Sequence, residues 1–333
     1  MTTIAVTLKA LLGLFLLCLL GYLGRRREII GKEGVSVLTK LVIGLTLPAM
    51  IFHGFGLHFS GEMMRGWWLL PLVGAAIFAF NALFGWLILL TDRSMAPWQR
   101  RQFMAMSIFH NAGYMPIPIV AAVLPAGQRE EIFLFIFLVM LAFGPLIWTL
   151  GVWLMKGPGP VAGDRASGQG TPHHRTLSMI LNPPFVTTVA ALALALLGWI
   201  RWVPAFVWEP LRWLGDCTIP LVLLTLGAML ADLRGSWTLS PGSLLRLVAA
   251  RLILPGAVMA LALPWVPLAP AIKFLLLIQV CMPSAMTLAI IAREYSESYD
   301  YVAQSLMASY LIALATLPVF LTLAQNMLTF TRS

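Results

Sequence analysis

The sequence predicts an all-α membrane protein of ten transmembrane helices, arranged as two inverted five-helix repeats whose fourth and ninth helices are broken and cross one another. Three observations predict it. The 333 residues are 60% hydrophobic and only 11% charged, with a mean hydropathy of +0.89, far from the composition of soluble domains of this length. At about 20 residues per span, ten apolar segments fill nearly the whole chain: 5–24, 35–57, 67–90, 102–124, 132–154, 178–199, 211–231, 243–264, 271–292 and 302–328. The fourth and ninth of these carry proline, glycine and polar residues where an unbroken span needs Leu and Ile.

The first segment is too long for a signal-peptide core and ends in "GRRREIIGKEG", which has no small-residue cleavage site, so it is expected to be an uncleaved span. Counting alternate loops, 15 of the 22 Lys and Arg residues fall on the side that follows this first span. That side is expected to be cytoplasmic, with both termini outside, in a bacterial inner membrane. The longest connection, residues 156–176, is rich in Gly and Pro and reads as a cytoplasmic linker between a first repeat, 1–155, and a second, 177–333.

Five spans is an odd number, so two related halves must have opposite topology. "LLGYLGRR" from Leu19 resembles "LLGWIRW" from Leu196, and each closes the first span of its half. "LTLPAMIFHGF" from Leu45 matches "CTIPLVLLTLG" from Cys217, with Pro48 over Pro220. Pro48 lies 62 residues before His110 and Pro220 lies 63 before Pro283, which sets "FHNAGYMPIPIV" over "CMPSAMTLAIIA". The common order and spacing point to an inverted repeat.

Transporters built from inverted repeats put discontinuous helices at the repeat interface, where freed backbone groups and half-helix N-termini meet the substrate. In the fourth span Gly113 tolerates unusual backbone angles, while Pro116 and Pro118 remove two N–H donors and crowd the preceding turn. In the ninth, Pro283 does the same, with the hydroxyls of Ser284 and Thr287 close by. Exposed N–H groups and the positive ends of helix dipoles suit a carboxylate or another anion.

"HNAGYMPIPI", "CMPSAMTLAIIAREY" and "LTLPAMIF" resemble the auxin efflux carrier family, which includes plant auxin carriers and bacterial malonate and related organic-acid permeases. The likeness covers nearly the whole chain. It implies the fold of bile-acid and sodium/proton transporters, with a scaffold from spans 1, 2, 6 and 7 and a transport domain from spans 3–5 and 8–10. It also implies an elevator movement and a homodimer formed through the scaffold. Two positions depart from the pattern. Residue 116 is Pro where many relatives carry Gly, and residue 288 is Leu where plant carriers carry a second crossover proline, which moves the expected ninth-span break toward Pro283.

The candidate substrate-binding residues are Asn111, His110, Gly113, Ser284, Thr287 and Arg251. Asn111 offers both donor and acceptor, for a carboxylate or for capping the half-helix after it. His110 is a titratable group that either binds anion and carries a coupled proton or stays neutral on a freed carbonyl. Arg251 lies about two turns into the eighth span and serves either as a fixed charge for an organic anion or as an interfacial anchor. Asn81, Gln279, Gln304 and Tyr310 either line a cavity or join helices. His53 and His58, near a span end, and His173 and His174, in the linker, read as structural or solvated.

Other function classes are disfavoured by what is missing. No Asp or Glu lies deep in a span, since Asp216, Asp232, Glu131 and Glu294 all fall near span ends, which argues against a buried carboxylate pair for cations. There is no nucleophile-base pair, no phosphate loop and no metal cluster, so neither an enzyme nor a cofactor is expected. The net charge of +9 follows membrane orientation and forms no aromatic-interleaved patch for nucleic acid. Cys18, Cys217 and Cys281 read as small core residues, and the tryptophans as interfacial belts against membrane lipid. The expectation is a secondary transporter of a small organic anion, a malonate-like dicarboxylate or another carboxylic acid, auxin-like acids included. It would be driven by protons, by the membrane potential or by sodium, in that order. A channel or a membrane-embedded ligand sensor is the alternative class.

Overall fold

Proline and short polar side chains decide where the helices start. The computed structural model describes residues 3–59, 66–92, 94–156, 181–233, 239–296 and 299–329, and these are helical apart from turns and one bridged pair of residues. Pro97, Pro116, Pro183, Pro241 and Pro270 each open a helix, at a position whose N–H would have no intrahelical partner in any case. Asn182 and Ser240 cap two of these by accepting from the N–H groups of Phe185 (3.0 Å) and Ser243 (3.2 Å).

In chain order the helices are α1 (Thr3–Arg26), α2 (Lys32–Leu41), α3 (Leu47–His58), α4 (Leu69–Thr91), α5 (Pro97–Ile108) and α6 (Pro116–Val123). Then come α7 (Ala126–Leu146), α8 (Val152–Lys156), α9 (Pro183–Leu196), α10 (Ala205–Asp216) and α11 (Thr218–Asp232). The last are α12 (Pro241–Val248), α13 (Leu254–Ala262), α14 (Pro270–Val280), α15 (Thr287–Tyr295) and α16 (Tyr299–Thr329). Six continuous helical stretches among the described residues are long and apolar enough to cross a membrane: Lys32–His58, Leu69–Thr91, Gly127–Lys156, Ala205–Asp232, Pro241–Trp265 and Tyr299–Ala324. The fourth and ninth apolar segments instead form pairs of short helices, α5 with α6 and α14 with α15. The 156–176 linker, with His173 and His174, lies outside the described residues beyond Lys156.

Two long stretches widen into a π turn just before an internal proline. Val42–Thr46 precedes Pro48, and Ala249–Ile253 precedes Pro255. A proline ring crowds the carbonyl four residues back and offers no N–H, so a locally wider turn lets the helix continue. Pro220 sits instead in the first turn of α11 and costs no hydrogen bond there. One sequence expectation fails nearby: Cys217, between α10 and α11, is exposed and is not a core residue, because its side chain falls on a face of this stretch that no other helix covers.

The helices pack in two groups. α1 lies against α11, and α3 lies against α9 and α10. In the other group α4 packs on α5, α7 and the Ala249–Ile253 turn, while α14 and α15 pack on α16. An ionic joint ties three helix ends of this second group together. Asp92 accepts from the N–H (2.8 Å) and hydroxyl (2.6 Å) of Ser94 and pairs with Arg246 of α12. Those two hydrogen bonds, with Arg246 adding to them, hold the Asp92 carboxyl below its ordinary range. Arg100 of α5 donates to the carbonyls of Asp92 (2.6 Å) and Leu89 (3.1 Å) at the end of α4.

The α1–α11 crossing depends on glycine. A Cβ on Gly21 would land on the Leu224 carbonyl, and one on Gly227 on the Cys18 carbonyl, so the two backbones touch. Gly13 of α1 has open space around it. We expect Gly227→Ala to destabilise by about 1–3 kcal/mol or more, whereas Gly13→Ala is neutral or stabilising. Thermal unfolding in detergent micelles checks the pair of variants.

Candidate functional site

The two interrupted segments meet in the middle of the protein and satisfy each other. α5 stops at Ile108 and α6 starts at Pro116; α14 stops at Val280 and α15 starts at Thr287. Between these ends the chain leaves the helix in bends and turns, and His110 and Ser284 form an antiparallel bridge. The Asn111 N–H donates to the Pro283 carbonyl, and the Ala285 N–H donates to the Phe109 carbonyl, both at 2.8 Å. Two broken helices thus share a minimal piece of β ladder, which pairs backbone groups that have no water to turn to.

The remaining freed carbonyls are taken by side chains. Arg251 is fully buried, and its guanidinium donates from Nε to the Met282 carbonyl (2.9 Å) and from its two terminal nitrogens to Ser107 (3.0 Å) and Val280 (2.7 Å). Ser107 and Val280 lie at the C-terminal, negative ends of α5 and α14, where a cation is favoured. Of the two readings of Arg251, the interfacial anchor does not hold: the residue lies in the Ala249–Ile253 π turn and its side chain is buried among the broken helices. Ser284 donates to the Met106 carbonyl at 2.7 Å, Gln279 donates to Ala112 at 3.1 Å, and Asn81 donates to Ile108 at 3.4 Å.

His110 is fully buried, with its Nε2 2.9 Å from Gln279 Oε1. Because the Gln279 amide nitrogen is already bound to a carbonyl, its oxygen must be the acceptor, so His110 donates from Nε2. Its Nδ1 meets no partner, which fits a neutral ring whose bare lone pair faces apolar surroundings. The Phe78 ring lies against it, tilted by 34° with 5.2 Å between ring centres.

Asn111 is oriented in the same way. Its Oδ1 accepts from the Met115 N–H (3.3 Å), just ahead of α6, so its Nδ2 donates to the Tyr310 hydroxyl at 2.6 Å. The Tyr310 oxygen is thereby an acceptor, and its own proton is left to point elsewhere. The φ of Gly113 is not in the left-handed region, the one such glycine among the described residues being Gly198. A Cβ at 113 would sit 3.0 Å from the Met140 sulfur, so the end of that flexible side chain would have to give way. Pro116 and Pro118 fall in the first turn of α6, where they start the half-helix without crowding an earlier turn.

Two cavities flank this crossover. The first, about 450 Å³, lies between α1, α11 and α16 and is met by Met115, Pro118 and Ile119 at the start of α6; Tyr310 lines it. The second, about 380 Å³, lies between α2–α3, α7 and α9 and is met by Met286, Thr287 and Ile290 at the start of α15; Tyr114 and Asn182 line it. Both are mainly apolar, and neither is lined by Lys, Arg, His, Asp or Glu. No cluster of His, Cys, Asp and Glu suited to a metal occurs among the described residues.

The sequence profile of the family described as "Membrane transport protein" matches residues 6–321, nearly the whole chain. The chain belongs to this family, that of the auxin efflux carriers. The carrier is 24% identical to Protein PIN-LIKES 5 of Arabidopsis thaliana, over 98% of this chain and 97% of that protein. It is 21% identical to the uncharacterized transporter MJ1031 of Methanocaldococcus jannaschii, over 95% of this chain and 98% of that one. Protein PIN-LIKES 7 of Arabidopsis thaliana is 22% identical, over 87% and 89% of the two chains. The carrier is therefore a multi-pass membrane transporter.

Of the residues singled out in the sequence, the carrier brings His110, Asn111, Ser284, Pro283 and Arg251 together at the crossover, all buried and turned toward protein. Thr287 and Pro118 reach a cavity. Tyr310 both lines a cavity and joins helices, whereas Gln304 serves as an acceptor for the Leu239 N–H. Tyr114 and Asn182 were not singled out. Tyr114 stands inside "HNAGYMPIPI", and Asn182 in the "NPP" that opens α9, so a signal existed for both. We expect Arg251→Met to lower stability by at least about 3 kcal/mol, since each hydrogen bond to a charged group contributes roughly 1.5–3 kcal/mol. Arg251→Lys should lie between it and the unmodified carrier, because an ammonium cannot fork across three acceptors. Unfolding midpoints in detergent check the order.

Proposed function

We propose that the carrier moves a small organic anion with a single carboxylate and an apolar body by alternating access. The Tyr310 hydroxyl carries this reading. Asn111 occupies its oxygen, so its proton is free to be donated to a carboxylate in an apolar cavity that begins at the N-terminus of α6. Asn111 then acts through Tyr310. A malonate-like dicarboxylate fits less well, because a second carboxylate would lose its water at a cost of several kcal/mol with no cation lining either cavity.

The architecture proposed with this function is two inverted five-helix repeats, 1–155 and 177–333. The cavities support it. The first is built by the first span, the second half of the fourth, the seventh and the tenth; the second by the sixth, the second half of the ninth, the second and the fifth. Adding or subtracting five converts one set into the other. Both cavities also separate the proposed scaffold, spans 1, 2, 6 and 7, from the proposed transport domain, spans 3–5 and 8–10, as an elevator movement requires. The basic face is proposed as cytoplasmic with both termini outside, in a bacterial inner membrane, and the carrier as a homodimer formed through the scaffold.

The membrane potential is the proposed driving force. Sodium coupling would need crossover carbonyls, and those of Ser107, Val280 and Met282 already hold the Arg251 guanidinium. Proton coupling through His110 would need access to a fully buried ring already committed to Gln279.

In proteoliposomes, radiolabelled phenylacetate should be taken up saturably, with kcat/KM at least 10-fold above that for malonate, a difference of about 1.4 kcal/mol. Tyr310→Phe, which removes one hydrogen bond of about 1 kcal/mol, should raise the phenylacetate KM about 5-fold. Binding without flux would make the protein a sensor, and flux that never saturates would make it a channel. His110→Gln should leave the pH profile of uptake unchanged; a flattened profile would return the proton to His110.

A further inference from the structure

Arg251 brings a charge into the middle of the protein that nothing around it cancels. Its guanidinium is fully buried and bonded to carbonyls alone, in α5, at the end of α14 and in the unwound segment before α15. The nearest titratable groups are the Cys281 thiol and the His110 ring, whose hydrogen bonds fit its neutral form. The single buried acid among the described residues, Asp92, sits at the end of α4 and pairs with Arg246. Guanidinium stays protonated in proteins. A lone cation in an apolar interior is expensive to hold and is retained where it has work to do.

We infer that Arg251 is a built-in countercharge that travels with the crossover, so that the carrier is electrically neutral while it crosses loaded with a monoanion and carries one positive charge while it returns empty. This rests on the proposed transport of an organic monoanion. The three hydrogen bonds bind the guanidinium to both broken helices, so whatever moves the substrate past the scaffold moves the charge as well. Substrate and guanidinium cancel in one direction and not in the other. The membrane potential then acts on the empty step.

Two fluxes separate these steps. In homoexchange, with saturating phenylacetate on both sides, the carrier crosses loaded each way; in net uptake it must also return empty. Potassium and valinomycin set the potential in proteoliposomes. Moving one charge through the whole field shifts the balance between the two empty orientations by at most roughly 50-fold for about 100 mV. Net uptake should therefore change several-fold over that range, while homoexchange stays within about 2-fold. Arg251→Gln should reverse the pattern, since the loaded carrier would then bear the uncompensated anion, and Arg251→Lys should preserve it. Homoexchange as voltage-sensitive as net uptake in the unmodified carrier would overturn the inference, as would an unmodified pattern in Arg251→Gln. If Arg251→Gln does not fold, the comparison in the unmodified carrier decides alone. Absence of any saturable phenylacetate flux would overturn the underlying reading instead, so the two failures are distinct.

Discussion

A helix that stops in the middle of an apolar protein strands carbonyl oxygens and N–H groups where no water can reach them, at several kcal/mol for each group left unpaired. This carrier has two such stops, and the way their backbone groups are paired constrains the rest of the fold. The His110–Ser284 bridge takes the groups at the crossing point. Arg251 takes the carbonyls at the negative helix ends, and Ser284, Gln279 and Asn81 take those beside them. Gln279 and Ser284 come from the ninth apolar segment itself, Arg251 from the eighth and Asn81 from the third. The fourth, eighth and ninth apolar segments, with Asn81 of the third, are therefore fastened to one another by directional bonds as well as by packing.

That fastening separates two kinds of contact. Within the crossover body the joints are polar, down to the Asp92–Arg246 pair and the Arg100 cap that tie α4, α5 and α12 at one end. The α1–α11 contact is of another kind, two backbones brought together by Gly21 and Gly227. Between these bodies lie two mainly apolar cavities. Surfaces that are smooth, apolar and incompletely filled can slide at low cost, because few hydrogen bonds must break. A body held together by buried polar bonds can move as a unit. The proposed alternating access uses both properties.

Polar residues at the centre therefore divide into those that build and those that face outward. Asn111, His110 and Ser284 attract attention in the sequence because polar groups in a span are costly and suggest a ligand. In the fold their polar atoms are largely committed to protein partners, the bare Nδ1 of His110 apart. Tyr310, on the last long helix, accepts from Asn111. In the proposed function its hydroxyl, one residue outward from the motif, meets the substrate, and in the inference drawn from it Arg251 acts electrostatically from within the crossover body.

Much was legible in the sequence because it depends on local chemistry or on the bilayer. Ten apolar segments follow from span length, and the breaks near Pro116 and Pro283 follow from what proline and glycine do to a helix. The matched order of "LTLP" and "CTIP", and of "FHNAG" and "CMPSA", is the sequence's argument for the two related halves of the proposed architecture. Gly113 shows where such reasoning stops: its φ stays out of the left-handed region, and the neighbour that crowds it is Met140 of another helix. Arg251 is similar, since depth in a span is countable but the direction of its side chain depends on a π turn and on carbonyls 29, 31 and 144 residues away. The sequence by itself determined a helical, multi-pass membrane chain with two interrupted spans, because those properties follow from hydrophobicity and backbone sterics. Only the tertiary structure decided which polar atoms are consumed at the crossing, because hydrogen-bond partners are chosen in space between segments far apart in the chain.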